Sequence, residues 1–511
     1  MTIGMIGPDR LSKSQNKTCK KPYKDSVWNF VSAPNIHPMK VKINVNRPGT
    51  SPGLIFTAPF TQYGTKMVGQ TGALIMDSCG EPVWFKPLCS NYIQNADFKV
   101  QTFYGEPVLT MWQGTMAGTQ CSDSNLPTGD PEPGAYYTIL DKYYNVIKKI
   151  TAQKGYTADP HEFIITRKNT ALFIAKKLIP VDLSCFGGTG NGYIDDCSIQ
   201  EVDIETGKLL FFWNAYCHIQ PEDSMIPAST ACKTNHIWDC YHLNSIDESP
   251  DHSLIISMRN MCAVYRIDKR CGRVLWQLGG RNSDFKIKQN ASFSWQNDAR
   301  YEPKNKISMF DNACCASSDS IPQSQSHGLI LDLDFCTACA FTMRTYFHEP
   351  ALYVPHMGNI QKLPNENRFL GWGQEPYLSE YSKEGNSIKD PCQNLLFDMR
   401  FPNKNMSYRS LKYPWIGCPL YPPSVAAFHK CNTTNIFVSW NGSTETTAWQ
   451  VLSGQSPSCL LTALKTTPRT GFETQIRLCT DDEYYQVNAL DCHGNVIGNS
   501  PVISIRKKCE C

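Results

Sequence analysis

One local pattern recurs along this chain, its first five copies at intervals of about 62 to 66 residues: a short apolar strand, an acidic or polar turn with Gly or Asn, then a second strand with Val, Leu or Trp. It surrounds Asp77 and Gly80 before Val83 and Trp84, Asp141 and Asn145 before Val146, and Asp203 and Gly207 before Leu209 and Phe211. It returns at Asp268 and Gly272 before Val274 and Trp276, near Asp334, and in weaker form at Tyr381 to Gly385. A fixed period of this length marks a repeated supersecondary unit that buries its apolar face only against its neighbours. Little helical periodicity is sustained, so each unit reads as β-hairpins, and six units predict an all-β fold of sheets packed radially, a six-bladed β-propeller. A four-stranded blade takes roughly forty residues, leaving about twenty per unit for long loops of the kind that carry sites. A large sandwich would not explain the regular interval. The strand Lys40 to Val45 is placed to complete the last blade and close the ring.

From Pro422 the character changes. Ile436 to Trp440, Trp449 to Leu452, Tyr484 to Leu490 and Val502 to Ile505 are spaced as in a seven-stranded sandwich of about a hundred residues or fewer. The segment Tyr485, Val487, Ala489, Asp491, Gly494 resembles the end of a fibronectin type III domain, with Tyr484 or Tyr485 as its tyrosine corner. The expected organisation is therefore an N-terminal extension over 1–50, a propeller over 51–420 and a type III-like module over 421–511, the last a surface for protein contacts.

With 49 basic against 46 acidic residues and no block of like charge, nothing favours a nucleic acid or a polybasic membrane contact. No apolar run reaches the eighteen or so residues of a transmembrane helix. Twenty-three cysteines and sequons at Asn16, Asn290, Asn405, Asn432 and Asn441 fit an oxidising, extracellular setting. Met1 to Arg10 lacks the apolar stretch of a secretory signal, so secretion rests on the cysteines and sequons. Cys336 and Cys339 form a lone CxxC, read as disulfide partners of each other or of other cysteines, and the adjacent Cys314 and Cys315 as bridged elsewhere.

Four constellations carry chemistry. His161 lies in the run Asp159, Pro160, His161, Glu162, Phe163, before the strand Ile164 to Thr166. His242, beside Asn244 and Ser245, runs into the apolar strand Leu254 to Met258, which ends on Arg259. A histidine beside short hydrogen-bonding side chains, with a fixed cation one hairpin away, suits the grip of a small oxyanion such as sulfate. The fourth is Trp295, Gln296, Asn297, Asp298, Ala299, Arg300, followed by Ile307 to Phe310, Asp311 and Asn312. Taken singly, His161 reads as a loop histidine satisfied by a carbonyl, and Arg259 as a strand end paired with Asp247 or Asp251. Taken together, they begin or end strands of different units, whose equivalent ends converge on one mouth. Trp238, Tyr241 and Trp295 are near enough to stack on an aryl ring, although blade packing accounts for each alone. No HExxH and no paired CxxC spacing supports a metal site, no cofactor is implied, and the absence of GxSxG disfavours a serine hydrolase.

The order of these motifs, with Ser51 to Pro59, Gly328 to Asp334, and Gly358, Asn359 and Gln361 through Gly371, Trp372 and Gly373, resembles the arylsulfotransferase family of propeller enzymes over about residues 51 to 420. The resemblance implies transfer of a sulfuryl group from an aryl sulfate to a phenol without a nucleotide sulfate donor, through a sulfohistidine flanked by two histidines and an arginine. It makes His161 and His242 the flanking pair, Arg259 the clamp, and Asn244, Trp295 and Gln296 substrate-binding. The family's nucleophile follows the glutamine of the fourth motif, and here that residue is Asn297. An amide nitrogen has its lone pair delocalised and neither attacks sulfur nor leaves again at useful rates. Two outcomes follow: direct transfer between donor and acceptor, or a noncatalytic secreted binding or adhesion protein for sulfated or anionic aromatic ligands. His348 and His356, on a later unit, are poor substitutes for the missing nucleophile.

Overall fold

The computed structural model describes residues 26–61, 65–88, 93–115, 134–314, 324–430, 433–458, 462–480 and 482–505. The sequons Asn16 and Asn432, and Cys315, lie outside them. The described chain is all-β, its only helical pieces short 3-10 turns, and no helix among the described residues is long and apolar enough to cross a membrane.

The recurrent aspartates build the repeat. Asp77 Oδ1 accepts the amides of Cys79 and Glu81, Asp141 Oδ1 those of Tyr143 and Asn145, Asp268 Oδ1 that of Arg270, and Asp334 Oδ1 that of Cys336. Each carboxylate thus closes an Asx turn between two antiparallel strands. Gly80, Gly207 and Gly272 supply the left-handed residue such turns need, with φ of 81°, 71° and 76°.

Six sheets follow, antiparallel except where the short strands Ile237–Trp238 and Lys286–Ile287 add parallel pairings. One joins Leu54–Thr61, Gly72–Met76 and Pro82–Pro87 to the late strand Asn405–Tyr413; the next holds Gln94–Phe103, Glu106–Gly114, Tyr136–Leu140 and Val146–Ile150. Then come the sheets that begin with Thr157–Ile165, Leu243–Glu248, Asn297–Glu302 and Asn359–Lys362. The innermost strands of these sheets contact one another in a closed cycle, a propeller-like arrangement. Lys42–Asn46 adds a fifth strand to the outer edge of the last sheet, against Leu395–Arg400. The ring itself closes through Asn405–Tyr413, which pairs with Leu54–Thr61 as the inner strand of the first sheet. Between sheets lie apolar layers such as Leu172, Ile174, Trp213, Leu243, Ile246 and Tyr265.

The inner strands share a second feature. Those of five sheets each carry extra residues relative to their partner, the shifts falling between Ala96 and Lys99, between Ala158 and Phe163, between Leu243 and Ser245, between Asn297 and Arg300, and between Ser407 and Ser410. Such bulges swing side chains out of the sheet's alternation, here toward the axis. They deliver a buried ion network. Lys99 Nζ lies 2.7 Å from both Asp97 and Glu162; Arg300 Nη2 lies 2.6 Å from Glu162 and 2.5 Å from Asp298; Arg409 Nη1 lies 3.1 Å from Asp97 and 3.0 Å from Glu162. The remaining two inner strands join through Arg300 donating to the Ile246 carbonyl and the Ile360 amide donating to Asp298. Burial alone would raise the Glu162 pKa, but Arg300, Arg409 and Lys99 hold it well below the ordinary range.

Past this network, toward the C-terminal ends of the inner strands, a cavity of about 940 Å³ is lined by residues that include Gln101, Tyr104, Arg167, Glu302 and Lys362. After the propeller-like part, Ser424–Lys430, Thr433–Ser439 and Glu473–Leu478 form one sheet, and Ala448–Gly454, Thr462–Pro468, Tyr484–Leu490 and Val496–Asn499 belong to another. They enclose Val438, Trp449, Val451, Tyr485 and Val487. This unit is fastened by the Gly442 amide to the Val83 carbonyl, by the Asn441 amide side chain to Phe85, and by the Tyr144 hydroxyl to the Gly442 carbonyl. Cys336 and Cys339, expected as disulfide partners, are thiols here. Asn290 is exposed, whereas Asn405 is fully buried with its side-chain amide donating to the Val68 carbonyl, a position no glycosylating enzyme reaches in the folded chain.

Replacing Glu162 by Gln leaves three cations short of a buried partner and is expected to cost about 3–5 kcal/mol in urea unfolding. Because the folded Glu162 pKa is depressed, its contribution is present above the unfolded value of 4.5 and is lost as pH falls below it. The variant should therefore lose less stability than the parent between neutral and acid pH.

Candidate functional site

At the N-terminal ends of the inner strands, opposite the cavity, His161, His242 and Arg259 come together. His161 lies within the inner strand Thr157–Ile165, in the stretch where that strand bulges. His242 precedes Leu243–Glu248 in a left-handed conformation, φ 53°. Arg259 follows Ser253–Met258 and opens a 3-10 turn, its amide bonded to the His242 carbonyl at 3.0 Å. The two imidazole rings stand edge to face, centroids 5.1 Å apart, and the buried Tyr408 ring lies 5.2 Å from His161.

Each histidine is backed by a carboxylate on the same ring nitrogen. His161 Nδ1 lies 2.5 Å from Asp159 Oδ1, and His242 Nδ1 lies 2.5 Å from Asp239 Oδ2. A carboxylate accepts, so Nδ1 carries a proton in both rings. Behind them Lys176 is fully buried, its Nζ 3.2 Å from Asp195 and 3.7 Å from Asp159. Burial opposes that ammonium, but Asp195 and Asp159 outweigh it and hold its pKa well above the ordinary value. Burial likewise disfavours charge on Asp239, yet His242, Lys176 and Arg259 hold its carboxyl well below the usual carboxylate range. His242 itself is held well below the usual imidazole value, first by burial and then by the Arg259 cation. It is a neutral imidazole facing the mouth.

Arg259 does not pair with Asp247 or Asp251, which instead accept from the Tyr301 amide and from Arg266. Its guanidinium lies 3.9 Å from Asp239, has its Cζ 5.7 Å from the centroid of the Trp295 ring, and donates from Nη1 to His356 Nδ1 at 3.2 Å. Asn297 begins the inner strand Asn297–Glu302, with its amide donating to Asn312 Oδ1 at 3.0 Å. Asn244 and Gln296 hold the frame. Both are fully buried, Asn244 donating to the Gln296 carbonyl and Gln296 to Ser257 Oγ and to the Met258 and Ala263 carbonyls. Trp238 and Tyr241 are core residues whose polar atoms donate to the Ile226 and Ile219 carbonyls.

Sequence reasoning assigned no role to Asp159, Asp239 or Lys176. An acid two or three residues before each histidine was a readable signal for the first two; Lys176 arrives from the neighbouring strand Thr170–Val181 and had none. Of the two later histidines, His348 is buried between Asp398 and the Pro350 carbonyl and stays away from the mouth, whereas His356 is in it.

A family model described as arylsulfotransferase (ASST) matches residues 99–390, more than half of the chain. The chain belongs to the arylsulfotransferase family. No curated protein matches it. Among solved structures it is similar to a protein of unknown function from Bacteroides caccae, with 10% identity over 68% of this chain and 97% of that one and a TM-score of 0.38. It is also similar to a catalytically inactive virginiamycin B lyase from Staphylococcus aureus solved with quinupristin, with 10% identity over 79% and 97% of the two chains and a TM-score of 0.33. The family assignment rests on the sequence match alone.

For this arylsulfotransferase-family chain, 15N NMR at neutral pH is expected to show His242 as a neutral imidazole protonated on Nδ1. A His242 protonated on Nε2, or one titrating at the ordinary imidazole value, would contradict the Asp239 and Arg259 environment described above.

Proposed function

We propose that the protein transfers a sulfuryl group from an aryl sulfate ester to a phenolic acceptor without a nucleotide sulfate donor. One observation carries this reading: the Arg259 cation and two imidazoles, each held through Nδ1 by a carboxylate, meet at a single mouth. A sulfate ester is a tetrahedral monoanion, and a guanidinium matches two of its oxygens with paired donors. Sulfuryl transfer resembles phosphoryl transfer in a loose transition state, where positioning and stabilisation of the equatorial oxygens supply most of the rate. His242, neutral and backed by Asp239, is the base for the acceptor's phenolic proton. His161 is its counterpart across the mouth, and Trp295, beside Arg259, is a face for the aryl ring.

In the same reading the chain is a six-bladed propeller followed by a fibronectin type III-like module, a reading supported by the cycle of six inner strands and the paired sheets after Ser424. The cysteine content and the exposed Asn290 support a secreted setting. The second reading, a noncatalytic binder of sulfated or anionic aromatic ligands, is favoured by one observation: an amide, Asn297, at the family's nucleophile position.

Incubation with 4-nitrophenyl sulfate and excess phenol separates the two, transfer giving phenolate release that depends on the acceptor. Saturable binding of the ester with no release would sink the transferase reading. Arg259→Ala should weaken sulfate-ester binding by about 1.5–3 kcal/mol, the worth of a charge-assisted hydrogen bond, and leave the parent phenol's affinity nearly unchanged; equal losses would make Arg259 structural. Because His242 stays neutral below the usual imidazole value, kcat/KM should hold steady as pH falls through 6.5 and decline only in more acid solution. An acid limb centred on 6.5 would assign the base to an unperturbed histidine.

A further inference from the structure

We propose that His356 supplies the nitrogen nucleophile that Asn297 cannot, an inference that rests on the sulfuryl-transfer reading above. The position emptied of its imidazole and the loop that carries His356 are held by one residue. Asn312 accepts from the Asn297 amide through Oδ1 at 3.0 Å, and its own Nδ2 donates to the carbonyls of Val354 at 2.7 Å and Met357 at 3.0 Å, on either side of His356. The same loop is fixed by the Val354 amide on Ser326 Oγ at 2.8 Å. Gly358, at φ 100°, packs so closely on Phe310 that a Cβ there would meet the ring at 2.5 Å, so the backbone after His356 has one seating.

His356 accepts on Nδ1 from Arg259 Nη1 at 3.2 Å. The lone pair of that nitrogen therefore points at the guanidinium edge on which a sulfate would lie. A sulfate oxygen taking the Nη1 hydrogen frees the lone pair beside the sulfur it must attack. Burial and then the Arg259 charge pull the His356 pKa down to about 4, so the ring stays unprotonated across the neutral range. His161 and His242 differ in this respect. Their Nδ1 atoms carry protons held by carboxylates, and the proton acceptor of the site is His242 Nε2.

In the first half-reaction the Nδ1 lone pair forms the N–S bond as the bond between sulfur and the aryl oxygen breaks, and that electron pair leaves on the phenolate. The product is an N-sulfuryl imidazolium that keeps the proton on Nε2. In the second, the acceptor oxygen forms its bond to sulfur, its proton passes to His242 Nε2, and the N–S electron pair returns to Nδ1. The proton on His242 Nε2 then passes to the released phenolate or to water, which restores the base and balances atoms, charge and protons.

The test uses the full chain and 35S-labelled 4-nitrophenyl sulfate, quenched within the first turnovers and mapped by peptide. Label on the peptide that contains His356 is expected. His356→Ala should lose label and lower turnover by on the order of a thousandfold or more, keep ester affinity within a few-fold, and regain part of its turnover with added imidazole. Transfer without a covalent label, label on another residue, or a His356→Ala variant as fast as the parent would each overturn the inference and leave the transferase reading standing. No transfer by the parent protein would overturn both. Should His356→Ala fail to fold, the label mapped on the unsubstituted chain still decides the question.

Discussion

The network of Asp97, Lys99, Glu162, Asp298, Arg300 and Arg409 is what the rest of the molecule depends on. Closing six sheets into a ring brings charged side chains of their inner strands together at the axis, between the histidine mouth and the cavity that Asp97, Lys99, Asp298, Arg300 and Arg409 help to line. Buried ions are tolerated only when each is paired and its remaining donors are satisfied. Here three carboxylates face three cations, and the guanidiniums of Arg300 and Arg409 spend further donors on the carbonyls of Ile246 and Asn244. A shift of one strand by one residue would expose an unpaired charge in the interior. The network therefore fixes the register of the inner strands, and with it the height at which His161, His242 and Asn297 emerge.

The bulges are the device that makes this possible. A regular strand alternates its side chains between faces, so His161 and Glu162 could not both serve the axis. The extra residues between Ala158 and Phe163 let one strand place Glu162 in the ion network and His161 at the mouth. The same interruption places Asp298 in the network just after Asn297. Site and frame are thus built from adjacent residues. The histidines are held by carboxylates that are themselves anchored, since Lys176 lies between Asp159 and Asp195.

What was legible in the sequence divides along physical lines. The hairpin repeat could be read because an aspartate carboxylate, its own turn amides and a left-handed glycine are all local. His161, His242 and Arg259 could be placed at one mouth because strand ends of a repeated unit converge. Ring closure by Asn405–Tyr413 could not be read, since its partner Leu54–Thr61 is some 350 residues away and any apolar strand near either end would have served as well, which is why Lys40 to Val45 was the candidate. The frame roles of Asn244 and Gln296 were hidden for a related reason. Their side chains satisfy carbonyls of a neighbouring sheet, and a polar residue beside a histidine reads the same in sequence whether it faces a ligand or a backbone.

His356 shows the same boundary from the other side. In the chain it lies 97 residues from Arg259, on a loop without a motif, and only the folded molecule sets its Nδ1 against the guanidinium. Its arrival there does not depend on Asn297 having changed the frame. The Asn297 amide gives Asn312 a hydrogen bond that an imidazole N–H at the same position is equally equipped to give. Asn312 then holds the Val354 to Met357 segment by two carbonyls whichever donor it receives. Under the proposed reaction, the residue at position 297 decides which ring attacks the sulfur, while Arg259, His242 and the loop that carries His356 keep their places.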